Sequence, residues 1–139
     1  MLDTLKQENN ITVNKKRYKV FKDFRGELTP IEFSEIPFDV KRLFYVSNVP
    51  EGMVRGEHAH HTTQQFLICL KGEIEVGLEH HESRKLILHE NEGVLIDKMI
   101  WDWQRFLTGD DVLLVLCSSS YNVSDYITDK DEFLRLIQC

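Results

Sequence analysis

The sequence lacks the long uncharged runs and the excess of basic residues that mark two large classes of protein. Its uncharged stretches are far shorter than the roughly 20 apolar residues that a membrane-spanning helix needs. Its 17 Lys and Arg residues are outnumbered by 23 Asp and Glu residues, so the formal net charge is −6. A nucleic-acid-binding surface is usually basic, and this balance argues against one. We therefore expect partners that are neither membranes nor nucleic acids.

Signals of export and of disulfide bonding are equally scarce. The first ten residues, MLDTLKQENN, do not have the basic start and apolar stretch of a secretory signal. The three cysteines, Cys69, Cys117 and Cys139, are odd in number and form no CxxC pair. Cys69 and Cys117 lie in apolar runs, which indicates reduced thiols rather than a disulfide framework. The sequence therefore predicts a cytoplasmic protein.

The chain has only 7 glycines and 3 prolines, and its apolar residues come in short runs separated by turns. Such runs predict β-strands, and residues 73–78 alternate between apolar and polar as a half-buried strand does. The predicted strands are residues 17–21, 27–33, 43–48, 65–70, 73–78, 85–89, 93–97, 100–106 and 112–118. Lys71-Gly72 separates two of them and predicts a tight hairpin. The length of 139 residues predicts one domain over residues 1–139.

Helical periodicity is confined to the end of the chain, over residues 124–138, with Asp125 or Asp129 as a candidate N-cap. Many short strands followed by one late helix predict an all-β fold. A β-sandwich and a small β-barrel both satisfy this pattern.

A spaced set of histidine, glutamine and glycine residues runs from Gly52 to Gly72 and is written G-x5-H-x-H-x4-Q-x6-G. Residues i and i+2 of a strand share a face, so His58 and His60 can both point into a barrel. A bare HxH pair is more often a surface pair. Here the flanking glycines and the apolar strand that begins at Gln65 favour the internal arrangement.

This stretch resembles the first motif of the cupin superfamily, and the resemblance implies a double-stranded β-helix, or jelly-roll barrel, with a short C-terminal helix. In cupins two histidines and a glutamate bind a metal, but the glutamate position is Gln65, and residues 93–104 contain no histidine. A neutral amide is a poor ligand for first-row divalent metals. We therefore expect neither metal nor cofactor, which leaves the histidines as acid–base groups that titrate near neutral pH.

A closer resemblance is to the metal-independent sugar-nucleotide 3,4-ketoisomerases of bacterial deoxyamino-sugar pathways. It rests on FRGEL at residues 24–28, IPFDVKRLFY at residues 36–45, RGEHAH at residues 55–60, Gln65, Trp101, and SYNVSDYI at residues 120–127. These blocks follow the family's order and span nearly the whole chain. The resemblance implies an isomerase that converts dTDP-4-keto-6-deoxyglucose to its 3-keto isomer through an enediol(ate). The C3 proton is removed and a proton is returned at C4.

The resemblance also implies roles for particular side chains. His60 would be the main base, with His58 as its acid or shuttle partner. A developing enolate needs a cation or donor, and Arg55 or Tyr45 would supply it. The predicted catalytic residues are His58, His60, Asp102 and Tyr45, and the predicted substrate-binding residues are Arg25, Arg42, Arg55, Gln65 and Trp101. Among these, Arg25 and Arg42 are candidates for the diphosphate, because a guanidinium matches phosphate oxygens in pairs.

Asp102 departs from the family pattern, since some members have a histidine after the tryptophan. Burial beside tryptophans favours a neutral carboxyl group that can donate a proton. Asp102 is therefore a candidate acid for C4, although a purely structural acceptor is an equal alternative. Arg25 matches members that form a galacto product, which is the configuration we expect.

A lone barrel leaves sheet edges open, and an exchanged N-terminal segment could cover one. Members of the family resembled here form homodimers in this way, so we expect a homodimer.

The pathway that the resemblance implies makes a deoxyamino sugar for a surface polysaccharide such as lipopolysaccharide O-antigen. Two other functions are open at this stage: a metal-dependent cupin enzyme, and a non-catalytic cupin that binds nucleotide sugars.

Overall fold

The computed structural model describes Ile11 and residues 13–138. Within these residues, ten strands form two five-stranded sheets and two more form a separate hairpin. In chain order the strands are β1 (Lys16–Arg17), β2 (Phe21–Asp23), β3 (Gly26–Leu28), β4 (Arg42–Val46), β5 (Val54–His60), β6 (Gln65–Lys71), β7 (Ile74–Glu79), β8 (Ser83–Leu88), β9 (Glu92–Ile96), β10 (Trp101–Phe106), β11 (Val112–Cys117) and β12 (Tyr126–Ile127). Helix α1 (Lys130–Leu136) follows them. The predicted all-β fold with a short C-terminal helix is confirmed.

The two sheets face each other across an apolar core. The first has the strand order β1-β9-β6-β11-β4, the second β12-β5-β10-β7-β8, and neighbouring strands are antiparallel. Alternate residues of each strand point inward, as Ile74 and Val76 do in β7. They meet Leu67 and Leu113 of the first sheet and Phe106 of β10 in one buried cluster. The strand order leaves the inner faces of β4, β5 and β10 to line the site described below.

Nine strands were predicted and twelve are observed among the described residues. The predicted strand 17–21 is divided between the end of β1 and the start of β2, with residues 18–20 outside both, and strands β5 and β12 were not predicted. Strand β5 is polar and glycine-containing, so it has no apolar alternation to reveal it. Strand β12 has only two residues and falls inside the predicted helix of residues 124–138. The helix begins later because Asp129 is its N-cap and accepts a hydrogen bond from the N–H of Asp131. The predicted strand 27–33 likewise ends early, at Leu28, shortly before Pro30.

The short strand β1 is attached to β9 by a buried carboxylate. Glu92 is only 1% exposed and accepts hydrogen bonds from Nε and Nη2 of Arg17, while Lys15 lies 3.1 Å from its other oxygen. Burial opposes the ionisation of Glu92. The hydrogen bonds from the backbone N–H of His89 and from these cations outweigh burial and lower its pKa to about 2.

The β2–β3 hairpin presents apolar side chains to solvent. Its strands pair only with each other among the described residues, and Phe24 at its tip is 98% exposed.

Residues 1–10 and Cys139 lie outside the described part of the chain. Two predictions therefore concern residues outside the described part. One is the extent of the domain over residues 1–139, and the other is that the first ten residues are not a secretory signal. No helix in the described residues is long and apolar enough to cross a membrane.

Candidate active site

A β-bulge in β5 sets the direction of the side chains at the site. Along β10, Asp102 pairs with His58 and Trp103 pairs with Gly56, so Glu57 is an extra residue without a partner. Gly56 and Glu57 both have positive φ, of 90° and 60°. An extra residue of this kind reverses the alternation of the strand, and bulges often aim a side chain at an active site.

The bulge opens onto a cavity of about 570 Å³ between the two sheets. Cavities of roughly 300–1,000 Å³ are typical of small-molecule sites. The polar side chains lining it are Arg42 and Tyr45 from β4, Ser47 just after β4, Arg55 and His58 from β5, Gln65 from β6, Asp102 and Gln104 from β10, and Tyr126 from β12. Two guanidinium groups in a chain of net charge −6 favour an anionic ligand at this cavity.

The two histidines of the HxH pair differ in access to the cavity. His58 lines it, whereas His60 is 4% exposed and lies behind it, with ring centroids 4.9 Å apart. Burial lowers the pKa of His58. Burial, with a further contribution from His58, lowers the pKa of His60 to about 4. Both imidazoles are therefore neutral at pH 7, and of the two only His58 lines this cavity.

Asp102 completes the group as a buried carboxyl. It is 1% exposed, and a carboxylate oxygen lies within 4.8 Å of a ring nitrogen of both His58 and His60. Burial raises the pKa of Asp102 to about 7, against the opposing effect of a hydrogen bond from Gln104. Near neutral pH the group is therefore divided between a proton-donating and an ionised form.

Tyr126 and Asp125, from the last block of residues that carries the resemblance, hold the histidine pair in place. The ring of Tyr126 lies 4.5 Å from that of His60 and 5.2 Å from that of His58. Asp125, next to it, accepts hydrogen bonds from the backbone N–H and hydroxyl groups of Thr62 and Thr63. These bonds fix the loop between β5 and β6 against β12, so both imidazoles keep a fixed packing partner.

The structure brings six of the nine predicted site residues together. His58, Asp102, Arg42, Arg55 and Gln65 line the cavity, and His60 lies directly behind it.

The other three predicted residues lie elsewhere or at its edge. Tyr45 borders the cavity in β4, but it is 68% exposed, unlike its partly buried neighbours Phe44 and Val46. Trp101 packs on Phe133 of the helix and does not line the cavity. Arg25 lies on the exposed β2–β3 hairpin, bonded to Asp23 at 2.6 Å.

Two further residues of the site were missed by the sequence analysis. Gln104 could have been found, because it lies two residues after Asp102 and shares its face of β10. Tyr126 belongs to the block of residues 120–127 that carries the resemblance, but it was predicted to lie in the C-terminal helix and instead lies in β12. Position in the fold, not residue type, identifies both.

The metal set of the cupin superfamily does not fit these residues. Gln65 stands where the carboxylate belongs, and its amide nitrogen donates to Sγ of Cys117 at 3.5 Å. One ligand atom each from His58, His60 and Asp102 lies within a 4.8 Å cluster. However, one oxygen of Asp102 already accepts from Gln104, and burial favours its neutral form, which is a poor ligand. These residues are therefore better suited to proton transfer than to holding a metal.

Comparison with known proteins now identifies the family. Residues 8–138 match the protein family described as "FdtA: WxcM-like, C-terminal". The chain belongs to this FdtA-like family. A curated relative from Aneurinibacillus thermoaerophilus, TDP-4-oxo-6-deoxy-alpha-D-glucose-3,4-oxoisomerase, is 32% identical over 123 residues, which cover 86% of this chain and 88% of the relative.

Solved structures of 3,4-ketoisomerases superpose on the chain. QdtA, a sugar 3,4-ketoisomerase from Thermoanaerobacterium thermosaccharolyticum in complex with TDP, gives a TM-score of 0.84 at 35% identity, over 91% of this chain and 94% of that one. A histidine-to-asparagine variant of QdtA, in complex with TDP-4-keto-6-deoxyglucose, gives 0.83 at 34% identity over the same shares. A 3,4-ketoisomerase from Helicobacter canadensis gives 0.86 at 34% identity, over 94% and 100%. The predictions of an isomerase and of a TDP-sugar 3,4-ketoisomerase are confirmed.

Proposed function

We propose that this chain converts dTDP-4-keto-6-deoxyglucose into its 3-keto isomer by acid–base proton transfer without a metal. The observation that supports this best is the cross-strand pair of His58 and Asp102 beside a cavity that also holds two arginines. A neutral imidazole and a carboxyl group whose pKa is raised to about 7 form a base and an acid that work at the same pH.

The reaction begins with His58 as the base. Its neutral ring takes the C3 proton, and the electrons of the C3–H bond form a C3=C4 double bond while the oxygen on C4 becomes an anion. Arg55, which lines the same cavity, stabilises this charge. Asp102 then gives a proton to C4, and the proton of the 3-hydroxyl moves to the oxygen on C4. The product is the 3-ketone. The imidazolium of His58 then returns its proton to the carboxylate of Asp102, whose oxygen lies within 4.8 Å of its ring, so no proton is gained or lost overall.

This mechanism exchanges the roles first assigned to the two histidines. His58 lines the cavity and is the base, whereas His60 is almost fully buried behind it. With a pKa of about 4, His60 stays neutral through the reaction and acts as a packing partner of His58.

Arg42 is proposed to bind the diphosphate from within the same subunit. It lines the cavity, and its guanidinium lies over the rings of Phe44 and Tyr121, at 4.7 and 5.2 Å from their centroids. These stacked rings hold the planar group in place for bidentate contact with phosphate oxygens.

Arg25 and the homodimer are proposed together. The β2–β3 hairpin carries Arg25 and the exposed Phe24, and the edge strand β4 exposes Leu43 and Tyr45. Apolar groups at a free sheet edge favour association with a second copy. In a dimer, the hairpin of one subunit would bring Arg25 to the cavity of the other.

Sedimentation tests the dimer. The measured mass should be twice the chain mass of 16.4 kDa, and Phe24→Asp should shift this mass toward that of the monomer. A monomeric wild type at micromolar concentration would refute the dimer.

The finer features of the function rest on the resemblance. We propose the galacto configuration at C4 because Arg25 matches the members that form a galacto product. The cytoplasmic location, the absence of nucleic-acid and membrane partners, and a place in deoxyamino-sugar synthesis for a surface polysaccharide such as O-antigen stay predictions.

The reaction is tested by proton NMR of EDTA-treated protein with dTDP-4-keto-6-deoxyglucose in D2O. We expect the wild type to form a 3-keto product with deuterium at C4, and the coupling of the C4 proton formed in H2O to report its configuration. His58→Asn should form none. A substrate recovered unchanged and without deuterium would refute the proposed function. Activity that is lost to EDTA and restored by one divalent metal would instead support the metal-dependent alternative at the 4.8 Å cluster.

A further inference from the structure

The carboxyl group of Asp102 is held asymmetrically. Its Oδ1 accepts a hydrogen bond of 2.7 Å from Nε2 of Gln104. Its Oδ2 is buried and has no hydrogen-bond partner among the described residues. A buried oxygen atom without a partner is unfavourable and rare in folded proteins. The unpaired oxygen therefore marks a place where a ligand would supply the missing contact.

Gln104 is fixed in position by both strands. It follows Asp102 by two residues in β10, so the two side chains share a face, and it is only 7% exposed. Its Oε1 lies toward Gly56 of the β5 bulge, where an added Cβ would be 2.9 Å from it. Gln104 thus occupies the space that glycine leaves open, and it has little freedom to turn away from Asp102.

We propose that Gln104 is a positioning residue that keeps the acidic proton of Asp102 on Oδ2, ready for transfer to the substrate. The amide N–H can only donate to Oδ1, so in the neutral acid Oδ1 is the carbonyl oxygen and Oδ2 carries the proton. No group of the described protein accepts from Oδ2. Asp102 lines the cavity, so its proton is held in the cavity wall without an acceptor among the described residues. This inference rests on the proposed function, in which Asp102 protonates C4.

Gln104 does not titrate. Replacing it therefore changes the hydrogen bonding of the Asp102 carboxyl group without adding or removing a charge. The charged or titratable groups that share the cavity with Asp102 are His58 and Arg55 from β5, Arg42 and Tyr45 from β4, and Tyr126 from β12, with His60 behind His58. The residue paired with Asp102 on β7 is Leu78, which carries no charge. The Gln104→Leu substitution removes none of these groups.

The test is Gln104→Leu in the full-length protein, with kcat and KM measured from pH 5 to 9. Activity requires protonated Asp102, so the wild type should lose kcat as pH rises through about 7. The hydrogen bond from Gln104 opposes the effect of burial, so its loss should move this decline to higher pH. Because the proton is no longer fixed on Oδ2, kcat on the plateau should fall by roughly 10- to 100-fold with little change in KM.

A surface pair of the same chemistry provides the matched control. Gln64 donates to Asp97 at 3.1 Å on the exposed surface, so Gln64→Leu removes an equivalent bond and should leave the pH profile unchanged. A fall in kcat for Gln104→Leu without any shift of the decline would mean a merely structural role and would overturn the proposal. An unchanged kcat would overturn it as well.

A second measurement separates this proposal from the proposed function. The pKa of Asp102 can be followed by carbon NMR of the labelled carboxyl group without substrate, with Asp102→Asn to assign the signal. Gln104→Leu should raise this pKa, and an unchanged value would overturn the coupling between the two residues. Absence of isomerisation by the wild type would overturn the proposed function instead, whatever the NMR titration shows.

Discussion

Arg55 and His58 line the same cavity although they are three positions apart in β5. In a regular strand, residues at this spacing face opposite sides of the sheet. They share a face here because Glu57 is the extra residue of a bulge opposite β10. The bulge therefore brings a cation to the position where the base acts, and it is the feature on which the site most depends.

Replacing Gly56 by alanine should damage both stability and activity. Gly56 has a φ of 90°, and an added Cβ would lie 2.9 Å from Oε1 of Gln104 and 3.2 Å from the carbonyl oxygen of Asp102. We expect a loss of about 1–3 kcal/mol in the free energy of unfolding, measured with urea, and a lower kcat. Gly52→Ala is the control, because Gly52 has a φ of 84° but no atom near its Cβ. Equal losses in the two variants would contradict the steric part of this argument.

The two histidines should respond differently to substitution. His58→Asn removes the group at the cavity, so kcat should fall by roughly 10²–10⁴-fold and deuterium should no longer enter at C3. His60→Asn leaves the base in place and should reduce kcat less, by disturbing the packing of His58 against Tyr126. Substrate exchange in D2O, followed by proton NMR, measures both effects. A larger loss in His60→Asn would return the role of base to that residue.

Asp102→Asn should separate proton removal from product formation. The variant keeps His58, so the C3 proton should still exchange with D2O at a measurable rate. Because no acid then supplies C4, formation of the 3-keto product should fall by roughly 10²–10⁴-fold. NMR records both events in one sample. Exchange and isomerisation that decline together would show that Asp102 acts before the enediolate forms, for example by holding the substrate.

The sequence predicted that His58 and His60 share a face of their strand. It did not predict which other residues of β5 lie on that face. Strand periodicity places His58 and His60 on one face. It would also place Arg55 on the opposite face, because a bulge depends on pairing with β10, which is distant in sequence. The resemblance to the family, not periodicity, brought Arg55 into the predicted site.

For Asp102 and Trp101 as well, the sequence did not show which residue points to the cavity. Asp102 was predicted as a catalytic and Trp101 as a substrate-binding residue, yet consecutive strand residues point to opposite faces, so only Asp102 lines the cavity. Trp101 packs on Phe133 of helix α1, a contact set by the helix position. The helix itself was predicted six residues too early, because the apolar Tyr126 and Ile127 fit the helical period but pair with β5 instead.

Acid should weaken the attachment of β1 through Glu92. Its pKa is about 2 in the folded protein and 4.5 in the unfolded chain, so the folded state holds fewer protons between these values. Its stabilisation is complete above about pH 4.5 and is lost as pH falls toward 2. Urea unfolding between pH 6 and 3 should therefore show a steeper loss of stability in the wild type than in Glu92→Gln. Glu35→Gln removes the half-exposed ion pair with Lys16 and should retain the wild-type slope, because exposed pairs contribute little. Equal slopes in the wild type and Glu92→Gln would mean that other carboxylates, such as Asp111 and Asp125, dominate the acid response.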